Sequence, residues 1–185
     1  GLEGYWPMNE GVGPTALDAT GFGTNLGIGA VSPVWGTDFI TFDGTNNLVA
    51  TTLFAGLKIK SRFSTAIWCK LASDAASGVY VWTMRSTVDV RDNYANLYGV
   101  VLPDPPGAQT GKYEIWHEET PCCSDRNALV TAILPTDTAW HHICWTYDAT
   151  TLRGYIDGVQ DYSSVTTLFA GGQTQLNTNA NEMRV

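Results

Sequence analysis

The chain reads as an all-β protein, an antiparallel β-sandwich or jelly roll, and three observations support that reading. Apolar residues almost never recur at helical spacing along the 185 residues. Short runs rich in aromatic and β-branched residues recur instead, bounded by clusters of Gly, Pro, Asn and Asp. Between these runs there is no long crossover of the kind parallel strands need.

Taken in order, the runs expected as strands are 3–8, 39–42, 48–52, 63–70, 79–84, 97–102, 112–117, 128–133, 140–147 and 152–156. In 140–148 successive side chains alternate between faces. His141, Ile143, Trp145 and Tyr147 therefore share one face, and His142, Cys144, Thr146 and Asp148 the other. Asp157-Gly158 supplies the Asx-type chemistry that reverses a strand. The stretch Pro103-Asp104-Pro105-Pro106-Gly107 is excluded from a central ladder, since Pro has no N–H to donate. Residues 119–127, with Pro121 and the Cys122-Cys123 pair, read as a loop. One hexapeptide recurs, Thr-Thr-Leu-Phe-Ala-Gly at 51–56 and 166–171. With nothing matching beside either copy it is no solenoid period, and both copies are expected at strand-to-turn edges whose Leu and Phe cover the core.

Composition narrows the function. The length fits one domain, 1–185. Charged residues make up 15% of the chain, against about 25% in an average soluble protein. A hydrophobic share of 44% with 11% aromatics excludes a disordered chain. A net charge of −8 without a Lys/Arg cluster argues against a nucleic-acid partner. Membrane insertion is not expected either, because no apolar stretch approaches the roughly 18 residues a spanning helix needs. The chain opens at Gly1 and stops at Met183-Arg184-Val185, which reads as the beginning of a strand, so a piece of a longer chain is expected. Four cysteines (Cys69, Cys122, Cys123, Cys144) allow three connectivities, and the sequence does not choose among them. There is no Cys-x-x-Cys pair of the sort zinc sites use. Low charge, abundant Thr and Gly and an even cysteine count favour an extracellular, oxidising setting.

Several segments, in order, resemble the laminin-G-like (concanavalin A-like) jelly-roll family. Gly4-Tyr5-Trp6-Pro7-Met8-Asn9-Glu10-Gly11 is similar to its opening strand, and Asp18-Ala19-Thr20-Gly21-Phe22-Gly23 to the loop that follows. Phe39 to Val49 resembles its Phe-Asp-Gly strand and turn, and 63–70 its central Trp-bearing strand. The most specific match is Trp140-His141-His142-Ile143-Cys144-Trp145-Thr146-Tyr147-Asp148 with Leu152-Arg153-Gly154-Tyr155-Ile156-Asp157-Gly158, similar to the family hairpin. The resemblance implies a closing strand after Val185, supplied by residues beyond the chain or by a neighbouring domain or subunit that completes the sheet.

Within that resemblance, 78–97 and 140–158 look like the pentraxin branch, which implies calcium at Asp92 and Asn93. A carboxylate and an amide oxygen suit a cation that takes six to eight oxygens. Asp18, and Asp148 with Asp157, are further candidates for a structural ion. His141 and His142 are strand neighbours on opposite faces and do not readily grip one ion. The pentraxin-like half-cystine position is matched by Cys144, but its partner position by Ala66, so a Cys69–Cys144 bridge needs a different register. Cys122-Cys123 could close a vicinal ring or bridge to different partners.

Glu114-Ile115-Trp116-His117-Glu118-Glu119 invites comparison with glucanases of the same fold, in which two glutamates flank a helper aspartate on one strand. Here Glu114 and Glu118 share a face, but Trp116 takes the helper position, so no catalysis is expected. Among the aromatics, Tyr94, Tyr98 and Trp116 are the expected surface rings on which the apolar face of a sugar could stack. The expected function is a non-enzymatic extracellular recognition or adhesion module for glycan or protein, calcium-dependent if the pentraxin likeness holds. A structural subunit of a fibre, filament or virion surface is the second expectation, and a glycoside hydrolase the third.

Overall fold

The computed structural model describes residues 1–28, 34–42, 48–50, 62–70, 79–85, 96–101, 113–118, 126–130, 139–165 and 182–184. Among them every regular element is a strand: β1 (Thr15–Ala16), β2 (Leu26–Ile28), β3 (Val34–Trp35), β4 (Ile40–Thr41), β5 (Leu48–Ala50), β6 (Phe63–Cys69), β7 (Val79–Arg85), β8 (Asn96–Val101), β9 (Tyr113–Glu118), β10 (Arg126–Val130), β11 (His141–Tyr147), β12 (Thr151–Ile156), β13 (Val159–Val165) and β14 (Glu182–Arg184). All pairings are antiparallel. They build an eight-stranded sheet ordered β1-β2-β5-β14-β7-β8-β9-β10, a four-stranded sheet ordered β13-β12-β11-β6, and the small pair β3-β4. The fold is the expected antiparallel jelly-roll β-sandwich.

The hairpin read from sequence is the best-defined part of the core. Ile143, Trp145 and Tyr147 on β11 alternate inward with Leu152 and Ile156 on β12, and all five are buried. Gly154 is the register partner of Trp145, and the indole lies over its backbone. Phe63 on β6 meets Tyr147 at 5.9 Å between ring centroids, and Tyr162 on β13 meets Trp145 edge-on at 6.3 Å. From the larger sheet Ala16 and Leu26 are wholly buried. Burying these side chains supplies the main driving force, at about 25 cal/mol per Å² of apolar surface.

Asp157-Gly158 forms a two-residue β12–β13 connection, with Ile156 paired to Val159. Both residues have positive φ, 51° and 81°. That is the type I′ geometry whose twist suits a tight hairpin and which favours Asp-Gly.

The expected strand at 3–8 does not form: residues 1–10 carry no regular structure. Pro7 lacks an N–H, and Met8 turns into the left-handed region at φ 57°. The segment is instead tied to the loop before β2. Tyr5 N–H donates to Asp18 Oδ1, Ala19 N–H to the Tyr5 carbonyl, and the Trp6 indole N–H to the Thr24 carbonyl. The resemblance made the Trp-bearing strand central, yet β6 ends the four-stranded order among the described residues. The chain's last described residues form β14, which has register partners on both sides, in β5 and β7. Both hexapeptide copies, the 103–107 stretch and residues 119–125 lie outside the described residues.

Candidate functional site

Register divides the eight-stranded sheet into rows. One row runs unbroken through all eight strands: Thr15, Gly27, Val49, Arg184, Thr83, Tyr98, Trp116 and Ala128. The next row holds Ala16 paired to Leu26 and, one position along from the first row on the later strands, Ala50, Met183, Met84, Leu97 and His117. Successive residues on a strand belong to opposite faces. Because Ala16 and Leu26 are wholly buried, the second row marks the core side, and Tyr98 and Trp116 belong to the opposite face.

The structure thus brings together two residues that the sequence offered separately. Tyr98 and Trp116 are direct register partners on neighbouring strands. Charged residues of both signs share their face. Asn96 pairs with Glu118, Glu118 with Arg126, Val100 with Glu114, and Glu182 with Arg85. Glu114 and Glu118 therefore lie on this face on either side of Trp116. Arg85, Arg126 and Arg184 were not singled out from sequence. Only long-range pairing, which leaves no local mark, puts them here. Asp92, Asn93 and Tyr94 lie outside the described residues, as do Cys122 and Cys123.

The cysteines of the smaller sheet are kept apart. Cys144 is the register partner of Ala66 and of Tyr155, whereas Cys69 partners His141 three positions along. The two cysteines are on opposite faces, and no Cys69–Cys144 bridge is formed. The register that such a bridge needs is not adopted. Partial burial raises the pKa of the Cys144 thiol above its ordinary value.

The secondary ion candidates are corrected by their surroundings. Asp18 Oδ1 accepts from Tyr5 N–H at 3.2 Å, Thr20 N–H at 2.9 Å and the Thr20 hydroxyl at 2.7 Å. Burial pushes its pKa up, but these hydrogen bonds outweigh it and leave the carboxyl below its ordinary value. Asp148 accepts from the Arg153 guanidinium at 2.7 Å and from the Thr150 and Thr151 backbone N–H groups. The Arg153 hydrogen bond is the largest cause of its strongly lowered pKa, followed by the Thr151 and Thr150 donors. A cation needs acceptor oxygens, and donors surround both carboxylates. Asp148 and Asp157 also sit at opposite ends of β12, about 20 Å apart at 3.3 Å per residue, too far to share an ion. Among the described residues no group of three His, Cys, Asp or Glu is arranged to hold a metal.

Asp157 has a different task. Its Oδ2 lies 2.8 Å from His141 Nδ1, its Oδ1 accepts the His142 backbone N–H at 2.9 Å, and its own N–H donates to the His142 carbonyl at 2.8 Å. The backbone hydrogen bond from His142, then that from His141, lowers the Asp157 pKa. Trp68 is an aromatic that the strand pattern did not single out. It is 63% exposed and stacks at a tilt on its register partner His142, 5.2 Å between centroids.

These features define a jelly-roll β-sandwich with an aromatic pair on the non-core face of its larger sheet. The sequence matches the Concanavalin A-like lectin/glucanases superfamily over residues 43–182, and the chain belongs to that family. No curated protein matches it. Among solved structures it resembles domain 4 of AbnA, an extracellular arabinanase from Geobacillus stearothermophilus, in complex with arabinotriose. The TM-score is 0.64 at 17% identity, over 99% of this chain and 81% of that one. It also resembles the binding domain of Paraclostridial Mosquitocidal Protein 1, with a TM-score of 0.59 at 15% identity, over 94% of this chain and 45% of that one. At these identities the likeness is one of fold. Among the described residues no helix is long and apolar enough to cross a membrane.

Proposed function

We propose that the domain is a non-enzymatic, extracellular glycan-recognition module. Its ligand lies on the non-core face of the eight-stranded sheet, over the Tyr98–Trp116 pair. The observation that carries the reading is that these two aromatics are register partners on that face. Paired rings suit the apolar face of a pyranose or furanose. Flanking Asn96, Glu118, Arg126 and Arg85 offer donors and acceptors for hydroxyls. The arabinotriose-bound structure of the same fold makes arabinotriose and similar short oligosaccharides the first ligands to try. Hydrolysis is disfavoured because Trp116 occupies the strand position a helper carboxylate would need between Glu114 and Glu118. Calcium belongs to the proposal through Asp92 and Asn93, whose carboxylate and amide oxygens suit the ion.

The test is a glycan array of the purified domain, run with calcium and with a chelator, followed by titration of the best glycan into Tyr98→Ala and Trp116→Ala. Saturable binding that falls at least about tenfold in either variant is the expected result. Binding that survives both substitutions removes the aromatic pair from the site. A blank array under both conditions favours the structural-subunit reading, and turnover of a β-glucan lost in Glu114→Gln or Glu118→Gln favours the hydrolase.

A further inference from the structure

The smaller sheet has a face of its own turned away from the core. Its register sets Trp68 beside His142, Ala66 beside Cys144, Cys144 beside Tyr155 and Tyr155 beside Gln160. Alternation along β11 and β12 buries Ile143, Trp145, Leu152 and Ile156 and puts His142, Cys144 and Tyr155 on the other side. Tryptophan ordinarily gives its large apolar area to a core, as Trp145 does at 1% exposed. Trp68 is 63% exposed. Its ring is nevertheless held: the His142 imidazole lies 5.2 Å away between centroids at a tilt of 46°, and the His142 backbone N–H is fixed on Asp157 Oδ1 at 2.9 Å. A ring positioned in advance lowers the ordering cost of binding. The next positions on this face, about 6.6 Å along each strand, carry the small side chains of Ala66 and Cys144. Among the described residues nothing hydrogen-bonds to the Trp68 indole N–H, the His142 ring nitrogens or the Tyr155 hydroxyl. The charged residue that β6, β11 and β12 place on this face, Arg153, is paired with Asp148 at 2.7 Å.

From this arrangement we propose that the outer face of the smaller sheet, centred on Trp68 and His142, is a second glycan-binding site, and that it takes neutral oligosaccharides. An exposed ring beside small side chains receives the apolar face of a sugar, and the free uncharged groups of His142, Tyr155 and Gln160 serve its hydroxyls. A neutral ligand fits because the guanidinium on this face already has its carboxylate. The proposal shares only the ligand class with the function proposed above, since none of its residues belongs to the Tyr98–Trp116 face. The two sites lie on opposite outer faces of a sandwich whose sheets pack about 10 Å apart. One short oligosaccharide cannot reach both, so the domain would bridge two glycan chains rather than grip one at two points.

The test uses the isotope-labelled whole chain, whose seven tryptophans each give one indole N–H resonance in a proton–nitrogen correlation spectrum. Arabinotriose, xylotetraose and cellotetraose are titrated in turn through the millimolar range, with trigalacturonate as the charged comparator. The Trp68 resonance should move saturably with at least one neutral sugar and less with trigalacturonate. In Trp68→Ala the response of the His142 and Tyr155 backbone amides to that sugar should weaken at least about tenfold, with the buried Trp145 resonance unmoved as the sign that the fold is kept. In Trp116→Ala the Trp68 response should persist. A Trp68 resonance that none of the neutral sugars moves overturns the proposal without reference to any variant. So does a His142 and Tyr155 response that survives Trp68→Ala unchanged, or a Trp68 response lost in Trp116→Ala. A stronger response to trigalacturonate overturns the neutral ligand class. The Trp116 resonance reports the larger sheet in the same spectra, so either site can fail without the other.

Discussion

Gly154→Ala tests the packing at the centre of the smaller sheet. An ideal Cβ at Gly154 falls 2.5 Å from Cζ3 of Trp145 and 3.0 Å from Cε3 and Cη2. Ordinary carbon contacts are about 3.5–4.0 Å, so the indole must retreat by about 1 Å. It has little room to do so. Trp145 is 1% exposed, its strand neighbours Ile143 and Tyr147 are buried, and Tyr162 meets its ring edge-on. Overpacking of this kind costs about 1–3 kcal/mol. In a domain of this size each kcal/mol moves Tm by about 2–4 °C, so a fall of roughly 2–12 °C is expected. Thermal unfolding followed by circular dichroism reads it. The same substitution in a Trp145→Leu background isolates the contact as a double-mutant cycle, where most of the penalty should vanish. A Gly154→Ala protein as stable as its parent, or an equal penalty in both backgrounds, would refute the argument that glycine is there to admit the indole.

Three further outcomes follow from local geometry. Asp148 and Asp157 have folded-state pKa values below 3.8, the ordinary value. Their stabilisation is therefore full above the unfolded carboxylate value, about 3.9, and is lost as pH falls through the lower folded values. Tm should hold from neutral pH to about 5 and drop below about 4, with a shallower drop in Asp148→Asn and Asp157→Asn; identical acid slopes in all three would remove these carboxylates from the cause. Ala149 occupies the left-handed region at φ 84°, which costs a residue with a Cβ about 1–2 kcal/mol, so Ala149→Gly should raise Tm by a few degrees. If Asp92 holds calcium, adding the ion should raise the wild-type Tm and leave that of Asp92→Ala unchanged, because a ligand of the folded state alone stabilises it.

What could be read from the sequence depended on the range of the interaction. The alternation of β11 and β12 was legible residue by residue, as was the Asp157-Gly158 turn that follows β12, because both are local signals. Strands β1, β2 and β3 were missed: two or three residues are too short to show a period. The 3–8 run misled because two aromatics suggested a strand, whereas Pro7 and the demands of Asp18 gave the backbone other partners. Tyr98 and Trp116 were each recognisable as candidate surface aromatics. Their partnership depends on the β8–β9 register, which no window of sequence contains. Similarly, exposure of Trp68 follows from its position on a strand whose inward residues are Phe63, Thr65 and Ile67, and the family pattern alone does not declare which face a tryptophan takes.

The position of β14 ties the site to the fold. Three residues separate β5 from β7, and the row containing Tyr98 and Trp116 crosses the sheet only because Arg184 stands between Val49 and Thr83. Met183 pairs with Ala50 on one side and Met84 on the other. Met183→Pro removes an N–H from a strand flanked on both sides, where Pro is not tolerated, at a cost of at least about 1–3 kcal/mol for the lost or orphaned ladder group alone. The consequence should extend beyond stability. β1, β2 and β5 would lose their hydrogen-bonded link to the strands that carry the aromatic pair, while the β11–β12 hairpin would keep its own contacts. Hydrogen exchange resolved by peptide should then show faster exchange in β5 and β7 with β11 and β12 still protected, together with weakened glycan binding. Uniform loss of protection across both sheets would instead mean that the two sheets fold as one cooperative unit through their shared core, and that β14 links the core as much as it links the row.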